Sequence, residues 1–218
     1  MGRKCEKSRL EVVWNEKTEE LRLEGEPVLR YTLSWPELRG GGAGGRWINR
    51  YYAHLAKSWQ LRWRREVYWK ACIALADCRA CARPFTAWTG TLEGTVTLME
   101  NGLLSLCMEG EEIRGNGRPC RVKWGDVWKV REGTPLTPWE WFGGRRGIRK
   151  KAMAQVLEQG REKQGEGACF LDHNWEEKGR RTLSLEEYWL TGEGAQIAFP
   201  QSTIAPPAEG TPVFQICR

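Results

Sequence analysis

The sequence predicts an α+β fold, in which an antiparallel β-sheet carries one long helix and several shorter helices on one side. Apolar and polar residues alternate between Val28 and Trp35, which is typical of a strand with one solvated face. Apolar residues recur every three or four positions from about Arg46 to Cys81, which is typical of an amphipathic helix. Strands and helices come in blocks rather than in strict alternation, and this order favours α+β over a parallel α/β sheet.

The composition is that of a folded globular protein. Hydrophobic residues make up 40% of the chain and charged residues 28%, which excludes wholesale disorder. At 218 residues the chain can bury a core without a metal or a disulfide, and we expect a single domain over residues 1–218. The 13 tryptophans are unusual. Because each buried indole needs a partner for its N–H group, several are expected at the rim of the core or on a binding surface.

The net charge and the N-terminal sequence bear on partners and location. A formal net charge of +6 permits contact with nucleic acid without requiring it. The N-terminal MGRKCEKSRLEVVW does not resemble a signal peptide, and no apolar run reaches the ~18 residues of a membrane span. We therefore expect a cytoplasmic protein, unless the chain is a fragment of a longer anchored one. Without an export signal, the eight cysteines are expected to be reduced thiols.

The first third of the chain predicts strands followed by the long helix. Strands are expected within residues 10–35, before Pro36 removes a ladder donor. The glycine run Gly40–Gly45 is interpreted as a flexible connection, since it lacks the Gly-Lys-Ser/Thr ending of a phosphate loop. The helix predicted over residues 46–81 is expected to fray or break before Cys81. Its apolar stripe comprises Ile48, Tyr52, Leu55, Trp59, Trp63, Val67, Ala71 and Leu75.

The remainder predicts more strands and shorter helices. Asn101-Gly102 indicates a type I′ hairpin, because both central residues of that turn need positive φ. The residues TPWE, beginning at Thr137, form the pattern of a capping box that starts a short helix. Two more helices are expected, one beginning near residue 145 and one over about residues 170–178, followed by short strands from residue 188 onward.

The C-terminal part of the chain also resembles a known family. PLTPWEWF, from Pro135, is similar to the segment that opens the C-terminal domain of the RsiV-type extracytoplasmic proteins, a domain-of-unknown-function family numbered 3298. WPEL, from Trp35, followed by Ile48-Asn49, resembles the start of that family's first long helix. The resemblance covers most of the chain and is strongest over residues 135–216. The residues that match the family's closing pattern are Leu190, Thr191, Gly194, Ile197, Phe199, Ile204, Ala205, Pro206, Gly210 and residues 214–216.

This resemblance implies an α+β domain that recognises something outside the cell. In the anti-sigma-V factor the domain binds lysozyme and thereby triggers proteolysis of the factor. In peptidoglycan deacetylases it precedes a separate catalytic domain. The family has no catalytic residue set to carry over. We therefore expect a non-catalytic binding or sensor module for an unknown protein or cell-wall ligand, without a cofactor.

Cys72, Cys78 and Cys81 form a cluster for which a metal site is the alternative to ordinary helix thiols. A structural zinc site would need a second cysteine pair or histidines at ligand spacing, and His54 and His173 are not placed in such a motif. A redox pair would follow a βαβ pattern, which the sequence lacks. The three cysteines are therefore weak metal candidates. Motifs of the common hydrolases, zinc proteases and dinucleotide-binding enzymes are also missing, so no catalytic residue is assigned.

Basic residues near tryptophans support a second functional hypothesis, a module that binds nucleic acid or another anionic polymer. Such residues can hold phosphates and stack on bases. Alternatively, the tryptophans face the core and the arginines extend along the outer face of the helix, and the apolar stripe favours this interpretation. A second basic cluster opens a helix, where an anion could bind. The candidate contacts are Arg62, Arg64, Arg65, Arg145, Arg146, Arg149, Lys150 and Lys151.

Overall fold

A six-stranded sheet forms the centre of the structure, a computed structural model that describes residues 10–144, 146–167 and 169–218. Its strands follow one another across the sheet in chain order. They are β1 (Glu11–Leu23), β2 (Glu26–Arg39), β3 (Trp88–Glu100), β4 (Leu103–Ile113), β5 (Cys120–Lys129) and β6 (Thr134–Pro135). The predicted end of the N-terminal strands before Pro36 is wrong, since β2 continues to Arg39. Pro36 lies beyond the residues that pair with β3, where a missing backbone donor is tolerated. The predicted hairpin joins β3 to β4 and is confirmed by the positive φ angles of Asn101 and Gly102, 52° and 77°.

One strand pair of this sheet, β2 with β3, is parallel, and its other pairs are antiparallel. The predicted α+β class is confirmed, and the expected antiparallel arrangement is refined at this pair. The reason is the long helix between the two strands. A helical crossover returns the chain to the end of the sheet where the previous strand began, so the next strand enters in parallel.

The long helix crosses one face of the main sheet in three segments. These are α1 (Gly42–Arg62), a π-helical turn (Trp63–Val67) and α2 (Tyr68–Ala80). From Trp59 onward the apolar stripe recurs every four residues, and in an α-helix each such step rotates the stripe by about 40°. The wider π turn takes up part of that rotation. Residues before and after it, such as Tyr52 and Leu75, are therefore both buried.

The helix begins four residues before the predicted start, and it ends at Ala80, in line with the expected end before Cys81. Part of the glycine run is thus helical, which corrects its interpretation as a flexible connection. A Cβ atom on Gly44 would lie 2.1 Å from the carbonyl oxygen of Val130 and 2.6 Å from the amide nitrogen of Gly133. Glycine therefore allows the first helical turn to pack directly on the backbone between β5 and β6.

Two glycines of the sheet receive tryptophans of the long helix. A Cβ atom on Gly90 of β3 would lie 2.8 Å from Cε2 of Trp63, and one on Gly110 of β4 would lie 2.7 Å from Cη2 of Trp59. The bare backbone lets these two indoles approach the sheet closely. The first core surrounds them and includes Tyr31, Leu33, Leu92, Leu104, Leu106 and Met108.

A second, three-stranded sheet covers the opposite face of the main sheet. Its antiparallel strands are β7 (Tyr188–Thr191), β8 (Gly194–Ala198) and β9 (Val213–Ile216). Ser105 of β4 alternates with Leu104 and Leu106, which face the long helix, and its hydroxyl accepts a hydrogen bond from the backbone nitrogen of Leu190 at 2.7 Å. Since alternate residues of a strand point to opposite faces, β4 is covered on both sides.

The shorter helices pack with this second sheet. They are α3 (Pro138–Trp141), α4 (Ile148–Gly165) and α5 (Trp175–Thr182). Val156 of α4 and Trp175 of α5 share a second core with Leu190 and Phe214. The expected placement of all helices on one side of the sheet is therefore wrong. The long helix covers one face of β4, and the second sheet with the shorter helices covers the other.

The predicted capping box is present, whereas the third short helix lies later than predicted. The Thr137 hydroxyl accepts a hydrogen bond from the Glu140 amide at 3.3 Å, and the Glu140 carboxylate accepts one from the Thr137 amide at 2.9 Å. The helix expected over residues 170–178 begins at Trp175. Residues just before it are held elsewhere, since the amide of Asp172 donates to the carbonyl oxygen of Ile204 at 2.9 Å.

Two glutamines of α4 close the outer edge of β9. Gln159 donates to the carbonyl oxygen of Gln215 at 2.6 Å and accepts from its amide at 2.9 Å. Gln155, one helical turn earlier, makes the same two bonds to Cys217 at 3.1 and 2.7 Å. The carboxamides thus satisfy backbone groups that an exposed edge strand would leave open.

Candidate functional site

The candidate site is a cleft between the main sheet and the long connection from β8 to β9. One wall is formed by β3, β4 and β5, on the face away from the long helix, and the other by residues 209–211. The cavity has a volume of about 460 Å³, within the usual size range of ligand sites. We refer to it as the loop cleft. Its charged lining residues are Glu93, Glu109, Glu111, Arg121, Lys123 and Glu209.

Cross-strand pairing orders these charges. Arg121 on β5 stands opposite Glu111 on β4, and its Nε donates to Glu111 Oε2 at 2.6 Å. Lys123 stands opposite Glu109 and forms the second ion pair. Facing opposite charges stabilise a strand pair modestly. Four carboxylates against two cations leave the loop cleft with an excess of negative charge, and exposed Glu93 contributes to it.

Gln201 holds the connection against the start of β5. Its Oε1 accepts a hydrogen bond from the amide of Arg121 at 2.7 Å, and its Nε2 donates to the carbonyl oxygens of Pro119 at 2.9 Å and Pro207 at 2.8 Å. Gly210 follows with a φ of 68°, a left-handed conformation that favours glycine. One side chain therefore fixes the distance between the two walls of the cleft.

A buried carboxylate lies on the other face of β4, beneath the long helix. Glu112 is 6% exposed. It accepts a hydrogen bond from Trp63 Nε1 at 2.8 Å and forms a two-point ion pair with Arg62, in which Nη2 and Oε2 are 3.2 Å apart. The sequence reasoning missed this residue. Its burial could have been predicted from strand periodicity, because Glu112 shares the inward face of β4 with Met108 and Gly110.

A second inward carboxylate, Asp126 of β5, ends a chain of hydrogen bonds. Trp128 Nε1 donates to the Tyr52 hydroxyl, which donates to Asp126 Oδ2, both at 2.9 Å. Burial raises the pKa of Asp126 to about 6, against the opposing effect of the Tyr52 hydrogen bond, and the charge of Glu187 adds to the rise. Burial, with the charge of Asp126 next, raises the pKa of Tyr51 to about 12. This carboxylate was also missed, although it alternates with inward tryptophans.

The structure separates the predicted basic contacts on the long helix. Arg62 is engaged by buried Glu112, and the guanidinium of Arg64 lies 3.7 Å from the carboxylate of Glu19 on β1. Arg65 is exposed. Two of the three helix arginines therefore serve as links between helix and sheet.

The second basic cluster belongs to the other layer of the molecule. Arg146 precedes α4, and Arg149, Lys150 and Lys151 lie in its first turn, all exposed. Arg149 donates to the carbonyl oxygen of Arg180 on α5 at 2.9 Å. Arg145 lies outside the described residues. Since the long helix and α4 pack on opposite faces of the main sheet, the two predicted clusters do not form one surface.

The side of the long helix that points away from the sheet is apolar and basic. Trp47, Trp69 and Ile73 are 60%, 59% and 63% exposed. The interpretation that the helix tryptophans face the core thus holds for Trp59 and Trp63 but is wrong for Trp69. We define the outer helix face as Trp47, Arg50, His54, Lys57, Leu61, Arg65, Trp69 and Ile73, which are all exposed.

The cysteine cluster extends from the first half of α2 to the residue that follows it. Cys72 is buried, Cys78 is half-buried and Cys81 is exposed. None of the seven cysteines described by the structure forms a disulfide. Among the described residues, no group of three His, Cys, Asp or Glu side chains is arranged to hold a metal ion.

Another cysteine, Cys169, lies near the loop cleft. Burial and the neighbouring Glu209 raise the pKa of its thiol.

Comparison with solved structures identifies proteins with the same fold. No family model and no curated protein matches the sequence. A solved member of the DUF3298 family from Bacteroides fragilis NCTC 9343 superposes with a TM-score of 0.71 at 14% identity, over 96% of this chain and 91% of that one. The chain has the fold of a DUF3298 protein. A second DUF3298 family protein, from Pseudomonas aeruginosa PAO1, gives a TM-score of 0.57 at 10% identity, over 95% and 89% of the two chains.

The residues that carried the sequence resemblance occupy two parts of this DUF3298 fold. Leu190, Phe199, Ile204 and Ala205 are buried in the second core. Thr191 and Gly194 pair at the turn between β7 and β8. Pro206 leads into the turn that ends at Gly210, a wall of the loop cleft. Within the described part of the chain, no helix combines the length and apolar character that a membrane span requires.

Proposed function

We propose that this chain is a member of the DUF3298 family and acts as a non-catalytic binding or sensor module, with the loop cleft as its recognition site. The observation that carries the proposal is the position of the cleft. The wall formed by residues 209–211 belongs to the connection that Gln201 holds against the start of β5, and it lies within the segment that resembles the family. A pre-organised wall of this kind lowers the cost of ordering on binding.

The charge of the loop cleft supports a ligand that presents positive groups. The four carboxylates exceed the two cations there, and complementary charge favours a partner of opposite sign. A basic protein surface or the amino groups of cell-wall peptides have the required chemistry. The proposed ligand class is therefore a cationic protein or cell-wall segment, consistent with a role at the cell envelope.

A nucleic-acid module is the second candidate function. The exposed tryptophans and basic residues of the outer helix face favour it, whereas the use of Arg62 and Arg64 in ion pairs with the sheet weighs against it. A salt titration distinguishes this candidate, because phosphate contacts release counterions and binding to DNA or RNA then falls steeply with salt.

The proposal is tested by binding of the protein to purified peptidoglycan sacculi and, separately, to lysozyme. Glu93→Trp fills the loop cleft and removes one of its exposed charges, so binding to the recognised probe should weaken at least tenfold. Glu16→Trp is the matched control, since Glu16 is exposed on β1 outside the cleft, and it should bind as the wild type does. If the protein binds neither sacculi nor lysozyme, or if Glu93→Trp and Glu16→Trp weaken binding equally, the assignment of the loop cleft is contradicted.

A further inference from the structure

We propose that the outer helix face docks this protein on the surface of an anionic lipid bilayer. This surface is separate from the loop cleft, which lies on the opposite face of the main sheet. Binding of a bilayer by the outer helix face therefore does not depend on recognition of a ligand in the loop cleft.

Charge on the long helix points to an anionic partner. Residues 42–80 contain eight Lys and Arg against two Asp and Glu. The two acidic residues, Glu66 and Asp77, do not belong to the outer helix face. Glu66 is ion-paired with Lys70 at 2.7 Å. Arg50, Lys57 and Arg65 are exposed on that face. Basic residues held near an anionic membrane surface are attracted to it individually.

The apolar residues of the same face point to lipid rather than to nucleic acid. Two of them, Trp47 and Trp69, carry indoles, which favour the interface between water and acyl chains. Leu61 and Ile73 are aliphatic, and they are 40% and 63% exposed. Aliphatic side chains do not stack on bases as aromatic ones do, but they enter the acyl boundary of a bilayer together with aromatic residues.

The geometry of the helix suits a flat surface. Its other side is occupied by the first core, where Tyr52, Trp63 and Val67 are at most 2% exposed. A groove that receives an amphipathic helix would require the apolar side that is already buried here. The outer helix face instead extends for about 40 Å, at 1.5 Å per residue from Trp47 to Ile73, and a bilayer can contact that length from one side.

The test is co-sedimentation of the full chain with vesicles of equal parts phosphatidylcholine and phosphatidylglycerol, compared with vesicles of phosphatidylcholine alone. We expect binding to the mixed vesicles only, weakened by added salt. Trp69→Ser with Ile73→Ser should weaken binding at least tenfold, and Arg50→Gln or Arg65→Gln should weaken it about fivefold each. Quenching of tryptophan fluorescence by brominated acyl chains should fall in Trp47→Phe with Trp69→Phe.

Phe170→Ser is the matched control, because Phe170 is 70% exposed in the other layer of the molecule, and it should bind as the wild type does. All of these positions are exposed, and unchanged thermal unfolding would confirm that the variants remain folded. Equal affinity for the two vesicle types, or full binding by the Trp69→Ser, Ile73→Ser variant, would overturn the proposal. Binding of duplex DNA without any vesicle binding would also overturn it and assign the face to nucleic acid.

Discussion

Arg62 and Glu112 form a two-point ion pair between the long helix and β4, and the carboxylate of this pair is buried. Trp63, the next residue of the helix, donates to the same carboxylate at 2.8 Å. Consecutive helix residues thus converge on one charge of the sheet, at the point where α1 passes into the π turn. The contact fixes the register of the helix on the sheet.

Removal of Arg62 is expected to destabilise the fold. Arg62→Ala leaves the buried Glu112 with the Trp63 indole as its remaining partner among the described residues. Because Arg62 is itself partly exposed, we expect a loss at the low end for a broken buried pair, about 3 kcal/mol in the free energy of unfolding, measured with urea. Adding Glu112→Gln should recover most of this loss, because the amide is neutral and keeps an acceptor for Trp63. Arg65→Ala, on the exposed side of the same helix, should change stability by no more than about 0.5 kcal/mol. Equal losses for the two arginines would refute the link.

Gly44 is expected to tolerate no side chain. In Gly44→Ala the added Cβ would meet the backbone between β5 and β6 at 2.1 Å, so the helix start must move, at a cost of about 3 kcal/mol. Gly165→Ala is the control, since no described heavy atom beyond its chain neighbours and its own helix backbone lies within 4 Å of its Cβ position. That change should raise stability by up to about 1 kcal/mol through helix propensity. Thermal unfolding of the two variants checks the difference in sign.

Asp126 is expected to make stability fall as the pH rises. Its folded pKa of about 6 lies above its ordinary value of 3.8, so the unfolded chain loses this proton first. The contribution is complete only when the pH is well below 3.8, and it is lost progressively until the pH has risen above 6. Because one pKa unit corresponds to ~1.4 kcal/mol, Asp126→Asn should gain about 3 kcal/mol relative to the wild type between those limits.

The difference between Asp126→Asn and the wild type isolates this group from other carboxyls. Glu140 acts in the opposite direction, since the backbone and hydroxyl hydrogen bonds of Thr137 lower its pKa to about 2. Its contribution is lost on acidification through that range and is the same in both proteins. Unfolding curves at several pH values measure the difference, and a pH-independent value would contradict the assignment.

Gln201 is expected to control the order of the loop cleft. Gln201→Ala removes three hydrogen bonds that join the connection to β5, so amide exchange at Gly210 should accelerate at least tenfold while the second core stays protected. Gln155→Ala, which removes two similar bonds to Cys217 just after β9, is the matched control and should leave amide exchange at Gly210 unchanged. Hydrogen exchange followed by NMR distinguishes the two, and slow exchange in Gln201→Ala would contradict the clamp.

The local elements were predictable from sequence because their causes are local. The turn at Asn101 and Gly102 requires positive φ, and the capping box at Thr137 joins residues three apart. The long helix followed from its apolar stripe. The π turn in this helix was not predicted, although the spacing of four residues from Trp59 onward is the pattern that it accommodates.

The candidate site was not predictable because its parts are distant in sequence. The loop cleft joins β3, β4 and β5 to residues 209–211, and only the tertiary packing brings Arg121 beneath the connection that Gln201 holds. The predicted basic residues show the converse. Arg62 and Arg65 are arginines three residues apart on the same helix. Arg62 is bound to a buried carboxylate, whereas Arg65 is exposed to solvent.

The sequence by itself determined the α+β class, the main helices and strands, and the resemblance of residues 135–216 to the DUF3298 pattern, since periodicity, turn residues and caps act over a few positions. Only the tertiary structure decided the parallel pairing of β2 with β3, the burial of Glu112, the partial burial of Asp126, and the exposure of Trp69. These features depend on which side of each element meets another layer. That choice is made by packing between segments far apart in the chain.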